Sequence, residues 1–293
     1  MYDSIKEIVE DSKKQNKPIS ELIIEQECKS SGLSRDEVWA KMKKNLDTMR
    51  AAVEKGQKGK GVFSKTGLTG GEAVKIKEYR ENKKTLCGDT MMEAIQDAIS
   101  TNEVNASMGV ICATPTAGSA GTLPGIVFML EKRLDLSEEQ MVRFLFTAGG
   151  LGMVMANHAG IAGATGGCQA EVGSASAMGA AAAVEVAGGT AEQSAQALAM
   201  AITNLLGLVC DPVAGLVEVP CVKRNAIGSG NALISADMAL AGCISQIPAD
   251  ECIEALAKVG HGLPESLRET GLGGLAGTPT GKRIRAKIFG DAE

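Results

Sequence analysis

Residues Phe144–Gly167 read FLFTAGGLGMVMANHAGIAGATGG, and the fold depends on whether that run sits in a lipid bilayer or in a protein core. No Lys or Arg occurs between Phe144 and Val222, which gives the stretch a membrane-like look. A spanning helix, however, needs about 20 mainly apolar residues with cationic flanks that set its orientation. Here Asn157, His158 and repeated glycines break the run, while Glu171, Glu185, Glu192 and Asp211 follow it. The stretch therefore reads as a deeply buried core in which Gly and Ala let helices and loops approach closely. No membrane association is expected.

Outward from this core the pattern is helical. Ser34-Arg35-Asp36-Glu37 is a capping box, with Val38, Met42, Leu46, Met49 and Val53 following at helical spacing. Thr90-Met91-Met92-Glu93, Ser137-Glu138-Glu139-Gln140 and Thr190-Ala191-Glu192-Gln193 open three further helices. Asn231 is expected to cap a helix running to about Ile247, and Pro248-Ala249-Asp250 to start another that Gly260 ends. Met108–Ala113 and Leu216–Val222 are the candidate strands, and both are short. The pattern predicts an all-α fold, a Gly/Ala-rich helical catalytic domain with long Gly-rich loops. Residues 1–55 are expected to form amphipathic helices, joined through the flexible Gly56–Gly61 segment to a catalytic region over 56–293 as one continuous helical domain.

With 293 residues and 44% hydrophobic content, the chain can bury a large core. Its net charge of −5 has the wrong sign for a phosphate backbone, and two Tyr, five Phe and one Trp are too few for base stacking. Nucleic acid is not an expected partner. The charged, helical N-terminus lacks the basic-then-apolar order of a secretory signal, so a cytoplasmic setting with eight reduced cysteines is expected. Cys28, Cys87, Cys112, Cys243 and Cys252 need no role beyond packing.

Cys168, Cys210 and Cys221 stand apart, each in a Gly- or Pro-marked context in the charge-poor part of the chain. No pair has the C-x-x-C spacing of zinc ribbons or thioredoxin-like sites. Thiolates from distant loops can instead converge on an iron–sulfur cluster. Four Gly-rich loops accompany them: Lys65–Glu72, Ala113–Gly125, Asn157–Gly167 and Gly271–Lys282. Such loops expose backbone N–H groups suited to an anion, though glycines also serve simply as tight turns between packed helices. None has P-loop or dinucleotide spacing, so a substrate carboxylate fits better than a nucleotide. The candidate donors are Thr66, Thr69, Gly70, Thr116, Ala117, Gly118, Ser119 and Asn157, with Lys65 as an accompanying cation. His158 reads as a base, an orienting donor or a hydrogen-bonded core residue. Glu171 and Asp211 are placed to orient a ligand or to make structural hydrogen bonds.

The segments KTGLTGGEA, NASMGVICATPTAGSAGTLPG, NHAGIAGATGGCQAEVGSASAM, LVCDPVAGLVEVPCVKRN and ETGLGGLAGTPTGK together resemble the iron–sulfur-dependent L-serine dehydratases, more closely the α subunit of the two-subunit type. The resemblance implies a [4Fe-4S] cluster on Cys168, Cys210 and Cys221, and conversion of L-serine to pyruvate and ammonia without pyridoxal phosphate. It also implies a separate β subunit supplying an α/β domain with a Ser-Ser-His-Thr motif, and an oligomeric enzyme. Either His158 or a β-subunit histidine would then take the α-proton. Some relatives plug the open iron with a C-terminal cysteine, and this chain's ending, Phe289-Gly290-Asp291-Ala292-Glu293, has none. A pyridoxal-phosphate dehydratase would need an α/β fold with a Schiff-base Lys. A non-catalytic iron–sulfur redox or sensor protein is the remaining alternative, and it would be expected to use four protein ligands.

Overall fold

The computed structural model describes residues 2–290 and, within them, thirteen α-helices and no strand longer than a single bridge. The centre is α9 (Ser174–Val186), whose residues Ser174 to Val184 are all buried. Its sequence SASAMGAAAAVEV carries almost no bulk, so neighbours approach on every side. Helices α6 (Thr122–Leu134), α7 (Glu138–Ala159), α10 (Ala191–Leu205) and α11 (Cys221–Leu240) pack around it. A Cβ on Gly179 would come within 2.3 Å of Ile126 Cδ1, so a larger residue there would force that side chain to move. The first part of the run that looks membrane-like, up to Ala159, lies in α7, which buries Phe144, Leu151 and Met155, and no described helix is long and apolar enough to cross a membrane.

Helices α1 (Ile5–Gln15), α2 (Ile19–Ser31) and α3 (Arg35–Gly56) wrap this centre, and their apolar faces join the same core. Capping boxes start α3 at Ser34, α7 at Ser137 and α10 at Thr190, as the sequence predicts. Three other helix N-termini are capped by carboxylates from distant helices, which places negative charge against the exposed N–H groups. Asp250 accepts from Ile5 N at 2.8 Å, and Glu185 of α9 accepts from Ser20 N at 3.2 Å and Thr147 Oγ1 at 2.9 Å. Glu103 of α5 (Gly88–Ala106) accepts from Glu72 N, the first residue of α4 (Glu72–Asn82), at 2.6 Å.

Three expectations need correction. Asn231 lies inside α11 and caps nothing; its amide bonds Ser176 Oγ and Ala201 O, tying α11 to α9 and α10. The Gly228-Ser229-Gly230 segment before it imitates a helix break but is needed for close packing, since a Cβ on Gly228 would meet Thr122 at 2.8 Å. Neither candidate strand forms: the backbone of Cys210 makes its one bridge with Arg268, and Phe63 with Gly70. The helix assigned to Thr90 starts two residues earlier, at Gly88. Downstream, α12 (Ala249–Gly262) follows Pro248 as expected, and α13 (Pro279–Phe289) closes the described chain. Asp291–Glu293 lie outside the described residues.

Asp97 of α5 is buried and accepts from Gln57 Nε2 at 2.5 Å; burial raises its carboxyl from 3.8 to about 7. The folded state therefore holds a proton that the unfolded chain releases, and this contribution to stability declines as pH rises towards 7. Asp97→Asn should flatten that decline by on the order of 3 kcal/mol between about pH 5 and pH 8. Urea midpoints at the two pH values check this, and an unchanged slope would contradict it.

Candidate active site

Cys168, Cys210 and Cys221 come from three separate segments, and all are buried. Gly167 has φ +76°, and a Cβ there would reach within 2.9 Å of Leu208 O, so only glycine turns the chain into Cys168 at this distance. A π-helical turn, Gln169–Gly173, follows and runs into α9. Such widened turns re-aim side chains and recur at functional sites; this one carries Glu171. The segment before Cys210 is fixed from both sides. Leu208 O accepts from Gln169 N at 2.9 Å, and Cys210 N donates to Leu267 O at 2.9 Å. Cys221 is the first residue of α11 and so sits at the positive end of that helix.

Donor atoms of Cys168, Glu171 and Cys210 lie within 4.8 Å of one another, a grouping with the chemistry of a metal site. Cys221 stands outside that tight group, yet near enough for the Cys168 charge to act on it. The hydrogen bond from Cys210 holds the Cys168 thiol below its ordinary range, aided by the charge of Arg224. The same pairing with Cys168, with burial, pushes Cys210 up. Burial, then the Cys168 charge, raises Cys221 to about 12. Glu171 is raised by burial. The centre thus combines one thiol whose ionisation is eased with two thiols and a carboxyl group whose ionisation burial opposes.

Each cysteine has a carboxylate close by in sequence, and each carboxylate holds a different Gly-rich loop. Glu171, three residues after Cys168, accepts from Thr116 Oγ1 at 2.8 Å. Asp211, next to Cys210, accepts from Leu275 N at 2.7 Å. Glu218, three residues before Cys221, accepts from Thr66 Oγ1 at 2.8 and 2.9 Å. The Thr66 loop is further tied by Ser64 N to Thr69 O at 3.0 Å and by the Lys223–Glu72 ion pair. In the Thr116 loop, Asn105 and Asn225 donate to the carbonyls of Ala117 and Gly118, and Ser119 Oγ bonds Thr114 O. A Cβ on Gly163 would fall 2.8 Å from Glu171 and 2.9 Å from Cys210 Sγ, so the third loop also presses on the centre.

The other candidates are distributed less compactly. Thr66 and Thr116 serve as loop anchors; Thr69 is buried, and Gly70 packs on Phe63. Lys65 is exposed. Asn157 and His158 lie on the outer end of α7, and His158 Nε2 sits 2.7 Å from Asp3 O and 3.2 Å from Asp3 Oδ1. The imidazole is 43% exposed, engaged by the N-terminal segment rather than by the cysteine loops. Sequence reasoning passes over Glu218 and Arg224. Both read as ordinary charges near a helix start, and only the fold reveals that Glu218 and the Asp211-paired Arg224 are buried or nearly so.

Fold and site together define a helical protein built around a buried thiol-and-carboxylate centre ringed by glycine-rich loops. The chain matches the family described as Serine dehydratase alpha chain over residues 14–276, and it belongs to that family. It is 57% identical to the probable L-serine dehydratase, alpha chain, of Bacillus subtilis (strain 168), covering 100% of this chain and 97% of that one. It is 44% identical to the L-serine dehydratase, alpha chain, of Peptoniphilus asaccharolyticus, covering 100% of each. A longer relative, the L-serine dehydratase of Streptomyces coelicolor, is 35% identical over 88% of this chain but only 57% of its own length. The chain is accordingly an enzyme subunit of the lyase type that serves L-serine dehydration.

Proposed function

We propose that this chain converts L-serine to pyruvate and ammonia at a [4Fe-4S] cluster held by Cys168, Cys210 and Cys221, together with a β chain. The observation that carries this reading is the attachment of a separate Gly-rich loop to a carboxylate beside each cysteine. The donor set fits the group: three buried sulfurs from separate segments, with no fourth cysteine among the buried residues of the centre. When bound, the cluster would supply a Lewis-acidic iron for the departing β-hydroxyl.

The chain's own residues do the rest. The Thr66–Gly70 and Thr116–Ser119 loops receive the substrate carboxylate, with Lys65 and Asn157 as further candidate donors, and so orient Cα–H towards its base. Thr66 and Thr116 act through their carboxylate anchors, which keep the loops at a fixed distance from the cysteines. Burial excludes water from the centre. Loss of the α-proton and the β-hydroxyl leaves aminoacrylate, whose imine tautomer hydrolyses in water to pyruvate and ammonia. His158 is occupied by Asp3, so the proton acceptor is assigned to the β chain; the names of the alpha-chain relatives, and the extra length of the Streptomyces relative, support a partner.

An anaerobic assay of L-serine-dependent pyruvate formation, with and without the β chain, tests this. Activity is expected only with both chains, and iron chelation should abolish it. Turnover unaffected by iron removal would overturn the cluster reading. His158→Gln should keep kcat within about twofold, as for a surface residue outside the reacting atoms. A loss of about a hundredfold or more, on the scale of general base catalysis, would return the base to this chain.

A further inference from the structure

Arg224 contacts all three cysteine-bearing segments at once. It lies on α11, one turn after Cys221. Its Nη1 is 3.3 Å from Cys168 Sγ and 2.8 Å from Val209 O, while Nη2 is 2.8 Å from Asp211 Oδ1. Val209 and Asp211 flank Cys210 on either side. The Arg224 and Asp211 side chains are 12% and 5% exposed, so this ion pair is shielded from bulk water. Arg224 is the cation that bonds a sulfur of the centre among the described residues.

We propose that Arg224 is the positioning residue of the cysteine mount. One guanidinium donates to the Cys168 sulfur and locks the Cys210 segment, and its own helix carries Cys221. This inference rests on the cluster reading above and extends it to a residue that is not a ligand. The planar fork of arginine suits the task, because several fixed N–H groups can meet acceptors in different directions. A lysine ammonium keeps the charge but is a point donor on a flexible stem, and it cannot present a rigid fork to acceptors in different directions. The guanidinium charge also offsets the negative charge that a cluster with three thiolate ligands brings into a buried site. Asp211 in turn accepts from Leu275 N at 2.7 Å, so the clamp continues into the Gly271–Lys282 loop. A group that orients ligands from outside typically changes metal retention by about 10- to 100-fold when removed.

The test measures cluster retention rather than turnover. Wild type, Arg224→Lys and Arg224→Gln are reconstituted anaerobically, and iron and sulfide per chain are determined. Decay of the visible cluster absorbance is then followed after addition of an iron chelator. Cluster loss should be about tenfold or more faster in Arg224→Lys and faster still in Arg224→Gln, with far-UV circular dichroism unchanged. If Arg224→Gln fails to fold, Arg224→Lys alone decides. Loss rates within about twofold of wild type in every folded variant would overturn the inference. A wild-type protein that binds no iron or sulfide would instead remove the cluster reading, and this inference with it.

Discussion

Cys168→Ala, Cys210→Ala and Cys221→Ala should each lower kcat/KM for L-serine by at least about a thousandfold, with cluster absorbance lost in parallel. A metal Lewis acid contributes several kcal/mol to the barrier, and about 1.4 kcal/mol corresponds to a factor of ten. The three positions are not equivalent in the free protein. Cys168 has its thiol held down, whereas Cys210 and Cys221 are pushed up. Assembly must therefore remove protons from Cys210 and Cys221 at neutral pH, and cluster uptake should become easier as pH rises. The substitution itself removes a small buried side chain from a helical scaffold, so thermal stability of the iron-free proteins should change little beside the activity. Iron content, absorbance and turnover measured on the same samples check the result. Full activity in any one variant with its cluster intact would remove that cysteine from the ligand set.

The second large effect belongs to Glu171→Leu. Glu171 accepts from Thr116, and its oxygens lie 3.3 and 3.4 Å from where a Cβ on Gly118 would be, so the Thr116 loop rests directly on the carboxylate. Leucine is similar in bulk but accepts no hydrogen bond, leaving the Thr116 hydroxyl without its partner. A displacement of about 1 Å in a substrate-positioning group can cost about a hundredfold. Turnover is expected to fall by about that factor, while Glu171→Gln, which still accepts from Thr116, should lose less. Iron content separates two origins of the loss: retained iron with a raised KM places the defect in the loop, whereas lost iron makes Glu171 part of the metal-holding set. Wild-type kinetics in Glu171→Leu would contradict both.

The legible parts of the sequence were local ones. Capping boxes at Ser34, Ser137 and Thr190 act within four residues, so their helices could be placed from spacing alone. The charge-poor run from Phe144 could be assigned to a core because its polar interruptions are unsuited to a bilayer, and α7 buries Phe144 to Ala148, Leu151, Gly152, Val154 and Met155 of it. Non-local devices were hidden. Glu103, Glu185 and Asp250 cap helices that lie far away in the chain, and no short motif announces such a pairing. Arg224 resembles one more charge in the Lys223-Arg224 pair until the fold places Cys168 and Asp211 around it. His158 is ten residues from Cys168 in sequence, yet its hydrogen-bonding partner is Asp3, a pairing that no local spacing announces.

In the proposed function three cysteines hold a cluster with one iron left for the substrate. The most direct measurement is the Mössbauer spectrum of the anaerobically reconstituted, iron-57-labelled α–β enzyme with and without L-serine. One iron site is expected to change its isomer shift when L-serine binds, with the remaining sites unmoved. A spectrum unchanged by saturating L-serine in an active sample would contradict the account.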